Sequence, residues 1–315
     1  MWHLRLIPDD TRIPFMRLRG IGYILIVITV IGSIAAFFTF NLNYGIDFQG
    51  GTLIEIQTKD GPADIGAIRT RLGELNLGDV QVQQFGEPDT VLIRVERQEG
   101  GEEAQQRVVF LVRQTLGEAV DYRRTEVVGP RVSGELAQAG TIAVAVSLFA
   151  VLIYIWFRFE WQFAVGAVLT TLHDVILTIG MFAVVQLEFS LASIAAILTI
   201  VGYSLNDTVV VYDRVRENLR RYKKMDLGEL LDLSINNTLS RTVLTSLTTL
   251  IALFSLYIFG GEVLRPFTFA MIWGVVVGTY SSIFVAAPTL IYLGLRTKHR
   301  REPDDAGGEA TGESA

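Results

Sequence analysis

Six apolar segments of the chain are each close to the length of about 20 residues that an α-helix needs to cross the hydrocarbon layer of a membrane. Half of the 315 residues are hydrophobic, which favours a membrane protein over a water-soluble one. We therefore predict an α-helical membrane protein with six transmembrane helices. The segments are residues 20–40, 136–157, 161–187, 191–212, 242–259 and 266–295. With its connection the first helix takes up residues 20–44, and the other five lie within 131–295.

The distribution of basic residues predicts the orientation of these helices. Residues 213–241 and the start of the tail 296–315 are rich in arginine and lysine, whereas the loops around Glu188 and at 260–265 carry almost none. Because arginine and lysine concentrate in cytoplasmic loops, we predict that residues 1–19, the loop 213–241 and the tail 296–315 are cytoplasmic. The first helix is too long for a signal peptide and should be retained. The acidic, glycine-containing tail is predicted to be disordered.

Residues 45–130 form a long polar region between the first two helices, and we predict that they fold as a separate extracytoplasmic α+β domain. The order β-α-β-β-α-β is typical of a ferredoxin-like fold, and a domain of this size can bury its own core. Alternation of apolar residues indicates the strands, and helical spacing indicates the helices. The strands are 52–58, 79–85, 90–96 and 122–128, and the helices are 63–75 and 102–116.

The composition argues against several classes of function. Residues 45–130 carry nine lysines and arginines against fifteen aspartates and glutamates, so this acidic domain gives no support for nucleic-acid binding. The chain has no cysteine, which excludes disulfides and thiolate metal sites. The domain has no histidine and no evident metal-ligand cluster or nucleophile motif. We therefore predict a binding or moving part rather than an enzyme, with no metal or cofactor.

Asp207 lies inside the fourth apolar segment, which contains no other charged side chain. A carboxylate at the centre of a membrane helix costs about 2.5–3.5 kcal/mol on insertion scales, so such groups take up a proton or pair with a cation. Arg241 precedes the fifth segment and is a candidate cation. We predict that Asp207 and Arg241 form a proton- or ion-coupling pair, and a buried structural ion pair is the alternative.

His173 and Asp174 lie near the middle of the third segment. Neighbouring positions are about 100° apart around a helix, so the two side chains should not both face one adjacent helix. At least one is expected to face the interior of the bundle. Because histidine titrates near neutral pH, a second protonatable site is one interpretation. A structural hydrogen bond to the fourth helix is the other, and the sequence favours neither.

Polar side chains accompany these ionisable residues. Ser204, Asn206 and Thr208 flank the aspartate of the fourth segment, and Thr245 lies near the start of the fifth. We predict that they support proton transfer by holding water. Hydrogen bonding between helices is the alternative, and it is the better explanation for any one hydroxyl taken alone.

Small residues mark two further features. The first is a set of glycines where the polar domain meets the membrane, which we interpret as hinges; an ordinary β-bulge at the start of a strand is an equally good explanation. These glycines are Gly45, Gly50, Gly51 and Gly129. The second is the spacing of Gly274, Gly278 and Ser282 in the sixth segment, which is typical of close helix packing.

Several distinctive motifs occur in a fixed order along the chain. The longest is GYSLNDTVVVYDRVREN at 202–218, and NYGIDFQGGT at 43–52 precedes it. The shorter motifs LHDV, TLSRT and FGG lie in the third segment and at the two ends of the fifth. This ordered set resembles the SecD/SecF family of bacterial protein export, most specifically its SecF members. The resemblance covers nearly the whole chain.

The resemblance implies that the chain is one half of a twelve-helix unit completed by SecD, beside the SecYEG channel in the bacterial inner membrane. Such proteins are expected to use the proton gradient to move their outer domains on a translocating preprotein. Asp207 and Arg241 match the family's intramembrane charged pair, and His173 and Asp174 match its HD motif. Half of a proton-coupled exporter of small molecules or lipids, and a structural scaffold for the channel, are the alternatives. Lipid is the remaining partner, and no cofactor is implied.

Overall fold

The computed structural model describes Pro8 and residues 11–295. The predicted acidic tail, 296–315, lies outside the described residues. In chain order the helices are α1 (Arg19–Phe40), α2 (Ile46–Gln49), α3 (Ile65–Gly73), α4 (Gly101–Leu116), α5 (Pro130–Arg158), α6 (Trp161–Val185), α7 (Leu191–Arg221), α8 (Leu227–Phe259), α9 (Arg265–Ser281) and α10 (Ala287–Tyr292). The strands are β1 (Asn43–Tyr44), β2 (Gly51–Thr58), β3 (Val80–Phe85), β4 (Glu87–Val95), β5 (Val120–Val128) and β6 (Glu188–Phe189).

Six helical segments of the described chain are long and apolar enough to cross a membrane. They are α1, α5, α6, α7, α8 and the segment from Glu262 to Tyr292 that contains α9 and α10. A π-helical turn, Ser282–Ala286, joins α9 to α10. The predicted fold class, six membrane helices with a small α+β domain, is confirmed.

The predicted loop 213–241 is wrong, because α7 and α8 extend through most of it and only residues 222–226 connect them. Hydropathy marks only the part of a helix that lies in hydrocarbon, whereas these extensions are amphipathic. Val215 and Leu219 are buried on α7 at four-residue spacing, as is Ile235 on α8. The helix pair therefore forms a long hairpin, whose buried residues pack in one cluster with Phe15 and Leu290.

The β-sheet of the small domain has the strand order β3-β4-β2-β5, with antiparallel neighbours throughout. Residues at alternating positions, such as Ile54 and Ile56 on β2 and Ile93 on β4, are completely buried beneath α3 and α4. Leu53 and Leu92 point to the other face, where they pack with Ile46 of α2. The core is thus built by the period-two alternation that predicted the strands.

Glycines bring the membrane helices into close contact, as the spacing in the sixth segment predicted. A Cβ atom at Gly274 would lie 2.2 Å from the Ile200 side chain, and one at Gly278 would lie 3.1 Å from Ser204 Cβ. Both contacts are with α7, so small residues on α9 let the two helices pack tightly.

Among the four glycines interpreted as hinges, only two have a backbone that favours glycine. Gly50 has φ +75° and Gly51 has φ +127°, whereas Gly45 and Gly129 both have φ −72°, which any residue adopts. A Cβ at Gly51 would lie 2.6 Å from the Val95 carbonyl oxygen. Close strand packing therefore explains Gly51, and hinge motion at the four positions stays a prediction.

Candidate functional site

Asp207 lies in the interior of the bundle, where only 8% of its surface is exposed. The Thr242 hydroxyl on α8 donates to Oδ1 over 2.6 Å, and the Ser282 hydroxyl on the π-helical turn donates to Oδ2 over 2.7 Å. Two hydroxyl donors from two other segments therefore bind this carboxylate, which is the compensation that a buried charge requires.

Asp174 is completely buried on α6. Its Oδ2 accepts hydrogen bonds from Ser204 Oγ on α7, at 2.5 Å, and from Ser281 Oγ at the end of α9, at 2.9 Å. His173 Nδ1 lies 2.9 Å from the other oxygen, Oδ1. The His173 ring is directed towards Tyr280, with 6.3 Å between ring centroids. Both side chains thus face the interior, and they contact different neighbours, as their 100° separation requires.

The two carboxyl groups are joined through consecutive serines, since Ser281 binds Asp174 and Ser282 binds Asp207. The serines lie where α9 becomes π-helical. Pro288, at the start of α10, has no N–H to donate to the residue four positions earlier, and a π-helical turn before it accommodates this loss. Such turns occur often at functional sites.

Sequence reasoning did not find Ser281, and it assigned Ser282 only to packing. The available signal was a pair of adjacent hydroxyl residues in an otherwise apolar segment, six residues before a proline. That signal does not say which carboxylates the hydroxyls reach.

Arg241 does not form an ion pair with Asp207: among the described residues no nitrogen–oxygen contact within 4 Å joins them, and the Arg241 side chain is exposed. The residue of α8 that faces Asp207 is Thr242, one position further along. The two charged groups are not in contact, because one residue changes the direction of a helical side chain by about 100°. The Arg241 charge still interacts electrostatically with Asp207 at longer range, and a role of the pair in proton coupling stays a prediction.

Only one of the four supporting polar residues contacts a carboxylate. Ser204 binds Asp174, whereas Asn206 is exposed and the Thr245 hydroxyl donates to backbone carbonyls of its own helix. Thr208 is buried, and its hydroxyl has no hydrogen-bond partner among the described residues. The same holds for His173 Nε2. These two atoms are places where water could enter the cluster.

A set of exposed small and polar residues on α7 and α8 is called the polar stripe below. Its members recur at helical spacing within apolar segments, and all are exposed in the isolated chain. They are Gly202, Asn206, Arg241, Thr245 and Thr248. Polar and charged side chains are costly against lipid hydrocarbon, so they usually face protein or water.

The sheet domain is fastened to the loop between α6 and α7, the two helices that carry the buried carboxylates. Arg94 on β4 forms an ion pair with Glu188 on β6, with Nη2 and Oε1 2.7 Å apart. β6 also pairs in parallel with β1, before the domain, and Asp47 of α2 accepts the N–H of Leu191 at 2.9 Å. A displacement of α6 or α7 would therefore also displace the domain.

Burial raises the pKa of the Glu188 carboxyl above its ordinary value, and the Arg94 guanidinium opposes this shift. Asp47 and Glu126 raise the pKa of the carboxyl further through repulsion, and Arg124 lowers it. The junction is therefore held by a carboxylate that takes up a proton more readily than an exposed glutamate does.

The chemistry available to the buried cluster is proton exchange. It provides carboxylate and hydroxyl oxygens and one imidazole, all of which can hold or pass a proton. Within residues 11–295, no group of three or more histidine, aspartate or glutamate side chains could hold a metal ion.

Comparison with known proteins identifies the family. The family described as "Protein export membrane protein SecD/SecF, C-terminal" matches residues 110–296, which is more than half of the chain. The chain belongs to the SecD/SecF family. The "SecD/SecF GG Motif" matches residues 35–61, where α1 leads into β2.

Relatives in the SecD/SecF family are similar over almost the entire chain. "Protein translocase subunit SecF" of Rhodobacter capsulatus is 43% identical, covering 96% of each chain. "Protein translocase subunit SecDF" of Brucella abortus is 48% identical over 97% of this chain but only 40% of its own length. The crystal structure of SecDF, a translocon-associated membrane protein from Thermus thermophilus, superposes with a TM-score of 0.81 at 34% identity. That match covers 94% of this chain and 40% of the Thermus chain.

Proposed function

We propose that the protein is an auxiliary subunit of Sec-dependent preprotein translocation that couples the proton motive force to export. It acts with SecD beside the SecYEG channel in the bacterial inner membrane. Membership of the SecD/SecF family supports this proposal, as do relatives whose printed names are protein translocase subunits. The observation that carries the coupling is the environment of Asp207, a buried carboxylate in a membrane helix. Two hydroxyl groups bind it, and among the described residues no cation lies within 4 Å of it.

Protonation of Asp207 would change its contacts with two other segments. As a carboxylate it accepts from both Thr242 and Ser282, and hydrogen bonds to a charged acceptor are roughly twice as strong as neutral ones. As a neutral acid it becomes a donor itself, so the three helices that meet there repack. A full charge moved across 100 mV supplies about 2.3 kcal/mol, which biases a two-state element more than tenfold.

The change reaches the sheet domain through the loop between α6 and α7. That loop contains Glu188, which is paired with Arg94, and Leu191 at the start of α7 is capped by Asp47. A shift of α7 therefore displaces the attachment points of the domain. Gly45, Gly50, Gly51 and Gly129, at the connections of the domain, would act as hinges for its motion on the preprotein.

The orientation that fits this role places the sheet domain outside the cytoplasm and both termini inside. The end of the bundle opposite the domain carries the basic residues of the α7–α8 hairpin, Arg214, Arg216, Arg220 and Arg221 among them, and such residues favour the cytoplasmic side. The exposed polar stripe on α7 and α8 is the surface that SecD would cover, since it is costly against lipid.

Replacement of Asp207 by asparagine tests this function. Vesicles carrying the variant with SecD and SecYEG would be supplied with saturating ATP, and completion of preprotein export would be measured with and without a proton gradient. We expect Asp207→Asn to lose the gradient-dependent component while its insertion and its assembly with SecD are unchanged.

The matched control is Asp213→Asn, which alters the same residue type on the same helix at a site that is exposed and paired with Arg158. It should retain stimulation by the gradient. Full stimulation in Asp207→Asn would mean that the buried aspartate is structural, and a scaffold role would then be the better assignment.

A further inference from the structure

Ser281 and Ser282 each contact two acceptors. Ser281 Oγ lies 2.9 Å from Asp174 Oδ2 and 3.2 Å from the carbonyl oxygen of Gly278. Ser282 Oγ lies 2.7 Å from Asp207 Oδ2 and 3.0 Å from the carbonyl oxygen of Thr279. Both serine side chains are completely buried. Each hydroxyl therefore has one carboxyl oxygen and one backbone carbonyl within hydrogen-bond distance.

A hydroxyl carries one proton and two lone pairs, so it cannot donate fully to both acceptors. When the carboxyl is ionised, the serine donates to the carboxylate. When the carboxyl holds a proton, its own O–H donates to the serine oxygen, and the serine proton turns to the carbonyl three residues earlier. The only covalent bond that changes is the O–H bond that the arriving proton forms with the carboxyl group. In both states the carboxyl group and the serine hydroxyl have hydrogen-bond partners.

We propose that Ser281 and Ser282 are positioning residues that couple the proton occupancy of Asp174 to that of Asp207. The two serines share a peptide bond, and the carbonyls that they contact belong to residues close together in the last turns of α9. A reversal of one hydrogen bond therefore alters the turn that orients the other hydroxyl. The inference rests on the proposed function, because it deepens the role of the same proton site.

Other titratable or charged groups near the two carboxyls come from three helices. His173 of α6 contacts Asp174 directly, and Tyr280 of α9 lies beside the His173 ring. Arg241 of α8 is adjacent to Thr242, which contacts Asp207. None of these side chains contacts both carboxyls, whereas the serine pair does so through one backbone segment.

The test is infrared difference spectroscopy of the full chain reconstituted with SecD, because the C=O band of a protonated carboxyl group reports its own titration. Bands are assigned by their absence in Asp174→Asn and in Asp207→Asn. In the otherwise unchanged protein, Asp174→Asn should displace the titration of Asp207. The displacement should be at most on the order of tenfold, which is the change in proton affinity that one hydrogen bond to a carboxylate produces.

The same displacement of the Asp207 titration by Asp174→Asn is then measured in proteins that also carry Ser281→Ala or Ser282→Ala. In each of these backgrounds it should be smaller by a factor of about three or more. Ser281→Thr and Ser282→Thr keep a hydroxyl and should restore it. Ser255→Ala is the matched control, since the Ser255 hydroxyl contacts only a carbonyl of its own helix. If the serines served only to support the structure, threonine at these positions would not selectively restore the displacement of the Asp207 titration.

Two results would overturn the inference: Asp174→Asn leaves the Asp207 titration unchanged, or both alanine variants keep the full displacement. The first result needs no serine variant, so a folding defect in those variants does not prevent a decision. Export is measured separately on the same vesicles. If Asp207→Asn exports normally while the serines still couple the two titrations in the parent protein, the proposed function alone is refuted. If export depends on the gradient but the serines do not couple the two titrations, only the role of the serines is refuted.

Discussion

The sheet domain and the membrane bundle are both packed around buried side chains, but they bury different chemistry. The core beneath the sheet is aliphatic, and its buried polar contact is one hydrogen bond between Gln105 and Thr52 at 2.7 Å. The bundle buries Asp174 and Asp207 among hydroxyl groups. An apolar core stabilises one arrangement, whereas buried ionisable groups make the arrangement depend on protonation. Under the proposed function, the domain acts as a rigid body and the bundle acts as a protonation-dependent switch.

The largest expected effect tests the stiffness of the sheet domain. Ile93 is completely buried in the central strand β4, so Ile93→Ala removes apolar contacts and leaves a cavity. We expect the domain to lose about 2–5 kcal/mol of stability, measured by hydrogen exchange of its strands in the full chain.

The control for this prediction is Phe110→Ala on α4. Its side chain is 65% exposed, and the stability change should stay within about 0.5 kcal/mol. Unaltered exchange in Ile93→Ala would show that the aliphatic core is not what makes the domain rigid, and the contrast with the bundle would fail.

The next prediction separates hydroxyls that serve the switch from those that serve their own helix. Thr242→Val removes a donor to Asp207, and hydrogen bonds to charged groups are worth about 1.5–3 kcal/mol. Gradient-dependent export should therefore change by about tenfold or more. Thr29→Val is the control, because the Thr29 hydroxyl contacts only backbone carbonyls of its own helix, α1. Equal effects of the two valines would remove the distinction.

Helix contacts in the bundle provide the third prediction. A Cβ at Gly180 of α6 would lie 2.3 Å from Ser33 Cβ and 2.6 Å from Ser33 Cα of α1. Gly180→Ala should therefore overpack this contact and cost about 1–3 kcal/mol, measured as a lower temperature of thermal unfolding in detergent. Gly32→Ala changes a helical glycine whose Cβ would meet nothing within 4 Å, and it should unfold like the parent protein.

The sequence predicts best those elements whose length or periodicity is set by a single physical requirement. The bilayer imposes a helix length, so hydropathy finds all six membrane helices, and the period-two alternation finds the strands. Hydropathy does not find the extensions of α7 and α8 through 213–241, because burial there is one-sided and the other face of each helix is polar.

Contacts between helices are harder to predict, since they depend on the rotation of each helix about its axis. The sequence identifies Asp207 as the exceptional residue but not its partners: Thr242, rather than Arg241, faces it. Ser281 and Ser282 contact the two carboxylates at the point where the helix changes from α to π between α9 and α10, a change that hydropathy does not indicate. The Arg94–Glu188 pair joins positions that only the tertiary fold brings together.

The smallest expected effect lies at the junction of the two regions. Because burial raises the pKa of the Glu188 carboxyl, the folded protein binds that proton more tightly than the unfolded chain does. The stabilisation from protonated Glu188 is thus complete below the ordinary pKa of glutamate and is lost as pH rises through the raised value. The ion pair with Arg94 has the opposite dependence, since it needs the ionised carboxylate and opens on acidification.

Carbon-13 NMR of labelled glutamate carboxyls, with the Glu188 signal assigned by Glu188→Gln, measures this titration. Its midpoint should lie above that of glutamate in an unfolded peptide. Arg94→Gln should raise it further, by about one unit or less, because the guanidinium favours the ionised form. Arg97→Gln, an exposed arginine just after β4, should leave it unchanged. A midpoint at the peptide value would mean that burial and the Arg94 charge cancel at Glu188, and one below it would mean that the ion pair outweighs burial. Either result would contradict the raised pKa, and protonated Glu188 would then contribute no stability at the junction.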